Sequence, residues 1–112
     1  MLDYGLCNQT VTVYRMADGE VLRQVIDGCH YAWEDGMKQE IPGGQPVRKF
    51  LLIVPGSIQR VFVGDRVVPG VGPEAVDWQT FLPINVPGLG IVAYAKTCHW
   101  GGDVCHTEAG RD

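Results

Sequence analysis

The sequence predicts an all-β fold, mainly antiparallel: a small β-barrel or sandwich of about six strands, with one short helix and one long loop. Short apolar runs alternate with turn residues along nearly the whole chain, a pattern typical of sandwiches and small barrels. Residues 50–70 (FLLIVPGSIQRVFVGDRVVPG) show it best, because three apolar runs there end in Pro-Gly, Gly-Asp and Pro-Gly. The 15 Gly and seven Pro lie between apolar runs without a period, which identifies them as turn residues.

The first two strands are predicted to form an antiparallel hairpin. Residues 9–15 (QTVTVYR) alternate, with threonines on one face and valines on the other, as in a half-buried strand. The dipeptide Asp18-Gly19 supplies the left-handed conformations that a tight hairpin turn requires. Residues 21–33 then resume an extended pattern, in which Gly28 permits a bulge or a bend.

The longest segment without a strand pattern is 34–46 (EDGMKQEIPGGQP). A connection of this length inside a compact domain is either functional or a disordered loop, and the sequence leaves both open. It leads into residues 47–54 (VRKFLLIV), where five consecutive apolar residues predict a strand buried on both faces.

The second half of the chain predicts shorter elements. A two-turn helix is expected at 73–81 (PEAVDWQTF), because proline fits a first helical turn and acidic residues favour the positive N-terminal end. The remaining segments are read as strands at 57–63, 65–68, 91–100 and 104–107, an irregular edge or crossover at 82–90 and a polar tail at 108–112.

Size and charge restrict the functional classes. A chain of 112 residues, of which 46% are hydrophobic and 20% charged, fits one globular β-rich domain covering 1–112. The formal net charge of −4 argues against sequence-independent nucleic-acid binding, which needs a basic face. Without a signal-peptide pattern or a long apolar run, the chain is expected to work in the cytosol, with reduced cysteines and no membrane contact.

Cysteine and histidine adjoin three times, at 29–30, 98–99 and 105–106. Both are natural zinc ligands, but the spacing in CHWGGDVCH is not that of a zinc site. A hairpin about Gly102 would place Cys98 opposite His106 on one face and His99 opposite Cys105 on the other, so neither face gathers four ligands. A Cys-His nucleophile would need an orienting group and an oxyanion hole that the sequence does not indicate. We therefore expect buried cysteines and partly exposed histidines, with no catalytic residue, metal or cofactor.

Arginine and tryptophan give the candidate contact residues. In VGDRVV (63–68), Asp65 is expected to bond its own backbone in a turn, and Arg66 suits bidentate pairing across an interface. The three tryptophans lie near turns or loops, where they anchor a core edge or an interface, or form a stacking platform for a ligand. Trp78 and Trp100 are the candidates for such a platform.

Several motifs occur in an order that resembles a known family: NQTVTVY (8–14), RQVIDG (23–28) leading into YAW (31–33), a strand ending in VP (54–55), VGDRVVPG (63–70) and HWGG (99–102). The order is similar to that of small phage minor capsid and head–tail connector (head-completion) proteins encoded in prophages of Gram-positive bacteria. The resemblance spans most of the chain.

The resemblance implies a non-enzymatic structural subunit that assembles as a ring at the portal, in the host bacterial cytoplasm and then in the virion. The implied partners are portal, adaptor or tail proteins and further copies of the chain, while DNA passes through the ring without specific binding. The loop at 35–45 would then reach into the channel or a neighbour. The contact residues expected on this basis and from the preceding analysis are Asp35, Met37, Lys38, Gln39, Glu40, Arg66, Trp78 and Trp100.

Two other classes remain open at this point. A small β-sandwich binding module for carbohydrate or protein would use exposed Trp78 or Trp100 as a platform. A metal-dependent or cysteine enzyme would use the cysteines and histidines of 98–106. The first predicts a shallow site with exposed aromatic rings, and the second predicts bound zinc or a reactive thiol.

Overall fold

Seven antiparallel strands form one sheet in the computed structural model, which describes residues 7–36, 47–100 and 102–111. The spatial order is β5-β4-β1-β2-β3-β7-β6, so the sheet is not closed into a barrel. The all-β prediction is confirmed. The strands are β1 (Gln9–Ala17), β2 (Glu20–Gly36), β3 (Val47–Pro55), β4 (Arg66–Pro69), β5 (Gly90–Ile91), β6 (Tyr94–Trp100) and β7 (Asp103–Arg111).

The β1–β2 hairpin forms as the sequence predicts. Ala17 pairs with Glu20 across a two-residue turn in which Asp18 and Gly19 have φ angles of 50° and 79°. Two successive positive φ angles give the turn the twist that adjoining strands need.

Gly28 divides β2 into two halves that pair with different strands. The register between β1 and β2 shifts between the pairs Gln9–Cys29 and Val11–Ile26, and Gly28 lies in this bulge with a φ of 73°. Before the bulge β2 pairs with β1, and from His30 onward it pairs with β3. The predicted bulge is therefore confirmed, and it makes β2 the strand shared by both halves of the sheet.

The two halves of the sheet pack against each other around one apolar core. Val11 and Val67 come from the β1–β4 half, and Leu52 and Ala109 come from the β3–β7 half. All four are fully buried, and the ring of Phe50 reaches Gly90 of β5, where an added Cβ would lie 2.7 Å from the ring. The full cluster is Val11, Val13, Ile26, Cys29, Tyr31, Phe50, Leu52, Val54, Val61, Val67, Val92 and Ala109.

The opposite face of β1 and β4 is covered by residues 70–89, which we call the covering segment. A second cluster, formed by Tyr14, Val68, Phe81 and Leu89, lies between the segment and the strands. Strand side chains hold the segment through its backbone carbonyls: Tyr14 Oη donates to Pro73 O at 2.6 Å, and Arg23 donates to the carbonyls of residues 72 and 73. Burial of β1 on both faces follows from this cover.

The predicted helix at 73–81 is wrong, since the structure has bends and one turn there. Thr80 and Phe81 donate to Asp77 O at 3.1 and 2.9 Å, which is a single turn. The carbonyls of Trp78 and Phe81 accept from Arg66 instead of continuing a helix. Tertiary contacts thus override the local helix signal. In the described part of the chain no helix is long and apolar enough to cross a membrane.

The predicted strand at 57–63 is also wrong. Val61 is buried, but Phe62 and Val63 are exposed, and no ladder includes this stretch. The backbone instead turns at Asp65, whose N–H donates to Phe62 O at 3.1 Å. The apolar run therefore reflects one core contact and two exposed side chains.

Three predicted boundaries move. Residues 34–36, expected in the loop, belong to β2, and residues 108–111, expected in a polar tail, belong to β7 between β3 and β6. The predicted strand at 91–100 is interrupted at Val92 and Ala93, whose N–H groups donate to Asp65 O and Gly110 O. The rest of the predicted loop, residues 37–46, lies outside the described residues.

Replacing Gly28 by alanine is expected to lower the free energy of unfolding by about 1–2 kcal/mol, because alanine disfavours a positive φ. The nearest atom to an added Cβ is Cys7 O at 3.9 Å, so the loss is conformational rather than steric. Gly28→Asn should lose less, since asparagine tolerates the left-handed region. Urea unfolding measures both, and an alanine variant as stable as the parent would contradict this account of the bulge.

Candidate interaction surface around Arg15 and Trp78

A buried carboxylate organises the turn before β4. Asp65 is 1% exposed, and Arg15 of β1 donates to it twice, with Nε–Oδ1 and Nη2–Oδ2 distances of 2.9 Å. The N–H of Phe62 also donates to Asp65 Oδ2 at 2.9 Å. The predicted turn is present, but the Asp65 carboxylate accepts from the backbone of Phe62, three residues earlier, and from Arg15 rather than making the predicted bond to its own backbone. The hydrogen bond that Arg15 donates to Asp65 raises the pKa of Arg15, so the guanidinium stays charged.

Aromatic and aliphatic side chains surround this ion pair at the surface. The guanidinium of Arg15 lies 4.3 Å from the ring centroid of Phe62, within cation–π range. Phe62 is 41% exposed, and Val63 is 65% exposed. A hollow of about 330 Å³ opens here, lined by Arg15, Met16, Phe62, Val63, Gly64, Asp65 and Trp78.

Arg66 and Trp78, two predicted contact residues, lie against each other, and Trp78 lines this hollow. The guanidinium of Arg66 lies 3.7 Å from the Trp78 ring centroid, and its Nη1 donates to Trp78 O and, at 2.8 Å, to Phe81 O. Burial lowers the pKa of Arg66. Arg66 thus links the covering segment to β4, and its guanidinium covers one face of the Trp78 ring.

The other predicted contact residues lie elsewhere. Asp35 is near the end of β2, paired with Arg48, and Trp100 ends β6, paired with Asp103. The register places these two at opposite ends of the β3–β7 half, because β3 pairs with β7 between them. Met37, Lys38, Gln39 and Glu40 lie outside the described residues. The predicted set therefore does not form one site within the described chain.

Sequence reasoning missed Arg15, Met16, Phe62 and Val63 as surface residues. The VFVGD run (61–65) indicated such a surface, because its three apolar residues end directly at a turn, where not all of them can be buried. Arg15, at the end of the alternating pattern of β1, was a second indication, because it forms the ion pair with the buried Asp65.

The β2–β3 ribbon, formed by residues 34–36 of β2 and 47–49 of β3, is a second candidate surface. Pairing of β2 with β1 ends at Cys29, and pairing of β3 with β7 ends at Phe50. Within the described residues, these six residues pair only with each other. Three residues of a strand span roughly 10 Å, so the ribbon projects by about that distance from the sheet.

The terminal hairpin pairs Cys98 with His106, as predicted. The predicted pairing of His99 with Cys105 is wrong, because the register shifts after Cys98 and His99 pairs with Val104. Among the residues that the structure describes, no group of three or more His, Cys, Asp or Glu side chains is placed to hold a metal ion.

A larger hollow of about 510 Å³ lies within the covering segment, beside the end of β4. Val68, Phe81 and Val86 contribute apolar walls, while Asp77, Thr80 and Asn85 contribute polar groups. Its chemistry is that of a mainly apolar cleft with a few polar groups.

Comparisons with protein-family models, with curated proteins and with solved structures give no match to this chain.

Asp65→Asn is expected to lower the free energy of unfolding by about 2 kcal/mol, because it leaves a partly buried guanidinium without its counter-charge. The figure is below that for a fully buried pair since the Arg15 side chain is 37% exposed. Lys96→Gln is the control: its ion pair with Glu108 is 3.6 Å long and exposed, so the loss should be under about 0.5 kcal/mol. Equal losses in urea unfolding would show that Asp65 has no special role.

Cys29 should resist alkylation far longer than Cys98. Burial, with a smaller contribution from Cys7, raises the pKa of Cys29 from 9.0 to about 11, and its side chain is fully buried. The thiolate, which is the reactive form, is thus roughly 100-fold rarer than for an unshifted thiol at pH 8. Peptide mass spectrometry of an iodoacetamide time course measures both rates, with urea-unfolded protein as the control. Similar rates in the folded protein would contradict the burial of Cys29.

Proposed function

We propose that this chain is a non-enzymatic structural subunit of a phage particle: a head–tail connector or head-closure protein that assembles as a ring at the portal. The observation that carries the proposal is the β2–β3 ribbon, a projecting two-stranded element on a small β fold. Together with the family-like order of motifs, it supports a role in contacting neighbours rather than in catalysis.

A projecting ribbon suits assembly for a physical reason. Its outer edges carry backbone N–H and C=O groups that have no strand partner within the described residues, and such edges pair readily with another chain. The sequence continues from its tip into residues 37–46, which include Met37, Lys38, Gln39 and Glu40. We propose these residues and Asp35 as contacts to the channel or to a neighbouring subunit.

The charge of the chain supports the same role. Each copy has a formal net charge of −4, and copies repeated around a ring would line a channel with negative potential. DNA carries one negative charge about every 1.7 Å and would pass such a wall without binding. The proposed partners are accordingly portal, adaptor or tail proteins, in the bacterial cytoplasm during assembly and then in the virion.

A ring needs two different surfaces on each copy that meet head to tail. The structure offers unlike surfaces: the exposed apolar residues near Arg15, and the covering segment. Open sheet edges at β5 and β6 provide further positions for contact.

The second candidate is a small binding module for carbohydrate or protein. The 510 Å³ hollow favours it, since a mainly apolar cleft with Asp77, Thr80 and Asn85 at its wall can orient a small ligand. Trp78 is a weaker platform than expected, because one ring face is against Arg66.

The test of the proposed function is binding to a portal ring encoded in the same genome as this chain. Purified protein mixed with portal rings should appear in negative-stain electron microscopy as an added ring on one portal face, and should leave duplex DNA unshifted in a gel at 150 mM salt. Tight DNA binding would contradict the proposal, as would a lack of binding to every portal, adaptor and tail protein of that phage. A melting-temperature shift with an oligosaccharide, in the absence of portal binding, would favour the binding module.

A further inference from the structure

The hollow of about 510 Å³ beside the end of β4 has the size of a small-molecule site. Clefts that hold such ligands range from about 300 to 1,000 Å³ and combine apolar walls with a few polar groups. Its apolar walls include Phe81 and Val86, and its polar residues are Asp77, Thr80 and Asn85. The volume suits a whole small molecule, whereas one side chain of a partner protein would fill only part of it.

The three polar residues are linked to one another, and their side chains offer mainly hydrogen-bond acceptors. Asn85 Nδ2 donates to Thr80 O at 3.0 Å, which fixes the orientation of the amide and leaves Oδ1 as an acceptor. Thr80 Oγ1 donates to Asp77 O at 3.3 Å, so the hydroxyl has used its one hydrogen and can otherwise only accept. The Asp77 carboxylate accepts from Gln79 N at 3.1 Å and keeps further lone pairs for a ligand.

The backbone around the hollow also offers few donors. Pro69, Pro73 and Pro87 line it and have no N–H group. The N–H of Gly72 donates to Thr12 Oγ1 at 2.8 Å. The other lining residues whose N–H groups donate to carbonyls of the covering segment are Thr80, Phe81, Asn85 and Val86. A ligand held here by hydrogen bonds therefore needs to bring most of the donors itself.

Asp77 also supplies the charge of the hollow. Two arginines contact the same segment, but both donate to its carbonyls. Arg23 Nη2 donates to Gly72 O at 2.7 Å, and Arg66 Nη1 donates to Phe81 O at 2.8 Å. Neither arginine lines the hollow, and the covering segment itself contains no lysine, arginine or histidine. Within the described residues, the hollow thus has a carboxylate at its wall and no basic side chain.

We propose that this hollow binds a small organic cation, a primary ammonium on an apolar body, with the ammonium at Asp77 and the body against Phe81 and Val86. An ammonium has three N–H donors and no acceptor, which matches a wall of acceptors. A sugar hydroxyl both donates and accepts, and a carboxylate only accepts, so both are matched less well. The inference goes beyond the ring function, and it names the ligand class for the hollow on which the second candidate function rests.

The test is a titration of the protein near neutral pH, followed by the amide signals in NMR spectra. The probes are hexylammonium, hexan-1-ol and hexanoate, which share one chain length and differ in the head group. Hexylammonium should bind at least about fivefold more tightly than hexan-1-ol, because its head group gains a charge-assisted contact with the carboxylate, and hexanoate should bind most weakly. The amides that shift should be those of the hollow, including Thr80 and Asn85. From pentylammonium to heptylammonium, the affinity should rise about two- to fourfold per methylene group.

Asp77→Asn is the test variant, and Glu74→Gln is the matched control. Asparagine keeps an oxygen that can accept from Gln79 N, so the turn should remain while the charge is lost. The affinity for hexylammonium should fall about three- to fivefold, and that for hexan-1-ol should not change. Glu74 is an exposed carboxylate of the same segment that does not line the hollow, so Glu74→Gln should change the affinity by less than about 1.5-fold. Circular dichroism and melting temperature confirm that each variant is folded.

The outcomes decide the ligand class. Selective binding of hexylammonium in the hollow, weakened in Asp77→Asn and kept in Glu74→Gln, supports the site. The proposal is overturned by a lack of amide shifts with hexylammonium, by shifts elsewhere, by equal affinities for the three probes, or by full affinity in Asp77→Asn. Binding of an oligosaccharide without hexylammonium rejects the cation and leaves the hollow to the second candidate function. Portal does not enter these measurements, so the ring function stands or falls separately.

Discussion

The fold depends on the change in course of β2 at Gly28. A single strand of 17 residues pairs with β1 along its first half and with β3 along its second, and the bulge with positive φ lies between these two regions. Bulges bend a strand and increase its local twist. Because the bend turns the two halves of the sheet toward each other, residues as far apart in sequence as Val11 and Ala109 share one core. The side chain of Gln9 adapts to the bulge by accepting from Tyr31 N at 2.8 Å and donating to Tyr31 O at 3.2 Å.

The covering segment is stabilised in a different way, because polar side chains of the strands donate hydrogen bonds to its irregular backbone. The carbonyls of this irregular segment that face the sheet need hydrogen-bond partners, and Tyr14, Arg23 and Arg66 supply them. Arg66 also stacks on Trp78, so the cost of burying its charge is offset by ring contact and by two carbonyl acceptors. Its lowered pKa is the expected result of that burial.

Local sequence patterns predicted the structural features that depend on interactions between residues close in the sequence. The Asp18-Gly19 turn, the bulge at Gly28 and the strands β1 and β3 were readable, because each depends on backbone preference or on an apolar pattern. Their burial was not: β1, predicted half-buried, is buried on both faces, and β3, predicted buried on both, has only half-buried side chains at Leu51 and Ile53. The helix at 73–81 was not, since its carbonyls are taken by an arginine on a strand. The placement of 108–111 in the sheet depends on pairing with β3, more than 50 residues away, and composition alone reads that stretch as polar tail.

The candidate surface was predictable in part, for the same reason. Arg66 and Trp78 stood out by residue type and by their position near turns, and the structure brings them together. Arg15 and Phe62 did not, because their importance comes from a tertiary contact, the ion pair with buried Asp65, that no local pattern indicates. Exposed apolar residues such as Val63 look like core residues in sequence until the fold shows which side chains reach the interior.

The position of β7 between β3 and β6 has a consequence for the order of folding. The contiguous strands β1, β2 and β3 are joined by sequence-local pairings, whereas β4 joins β1 and β7 joins β3 only across much longer stretches of chain. Closing such loops costs entropy before their contacts give stability in return, which slows folding of β-rich topologies into the millisecond-to-second range. Until β7 arrives, β3 has an open edge and Leu52 and Val54 lack part of their cover. The nascent protein therefore passes through a stage in which its most apolar strand can pair with the wrong neighbour, and that stage is the one most exposed to misfolding and aggregation.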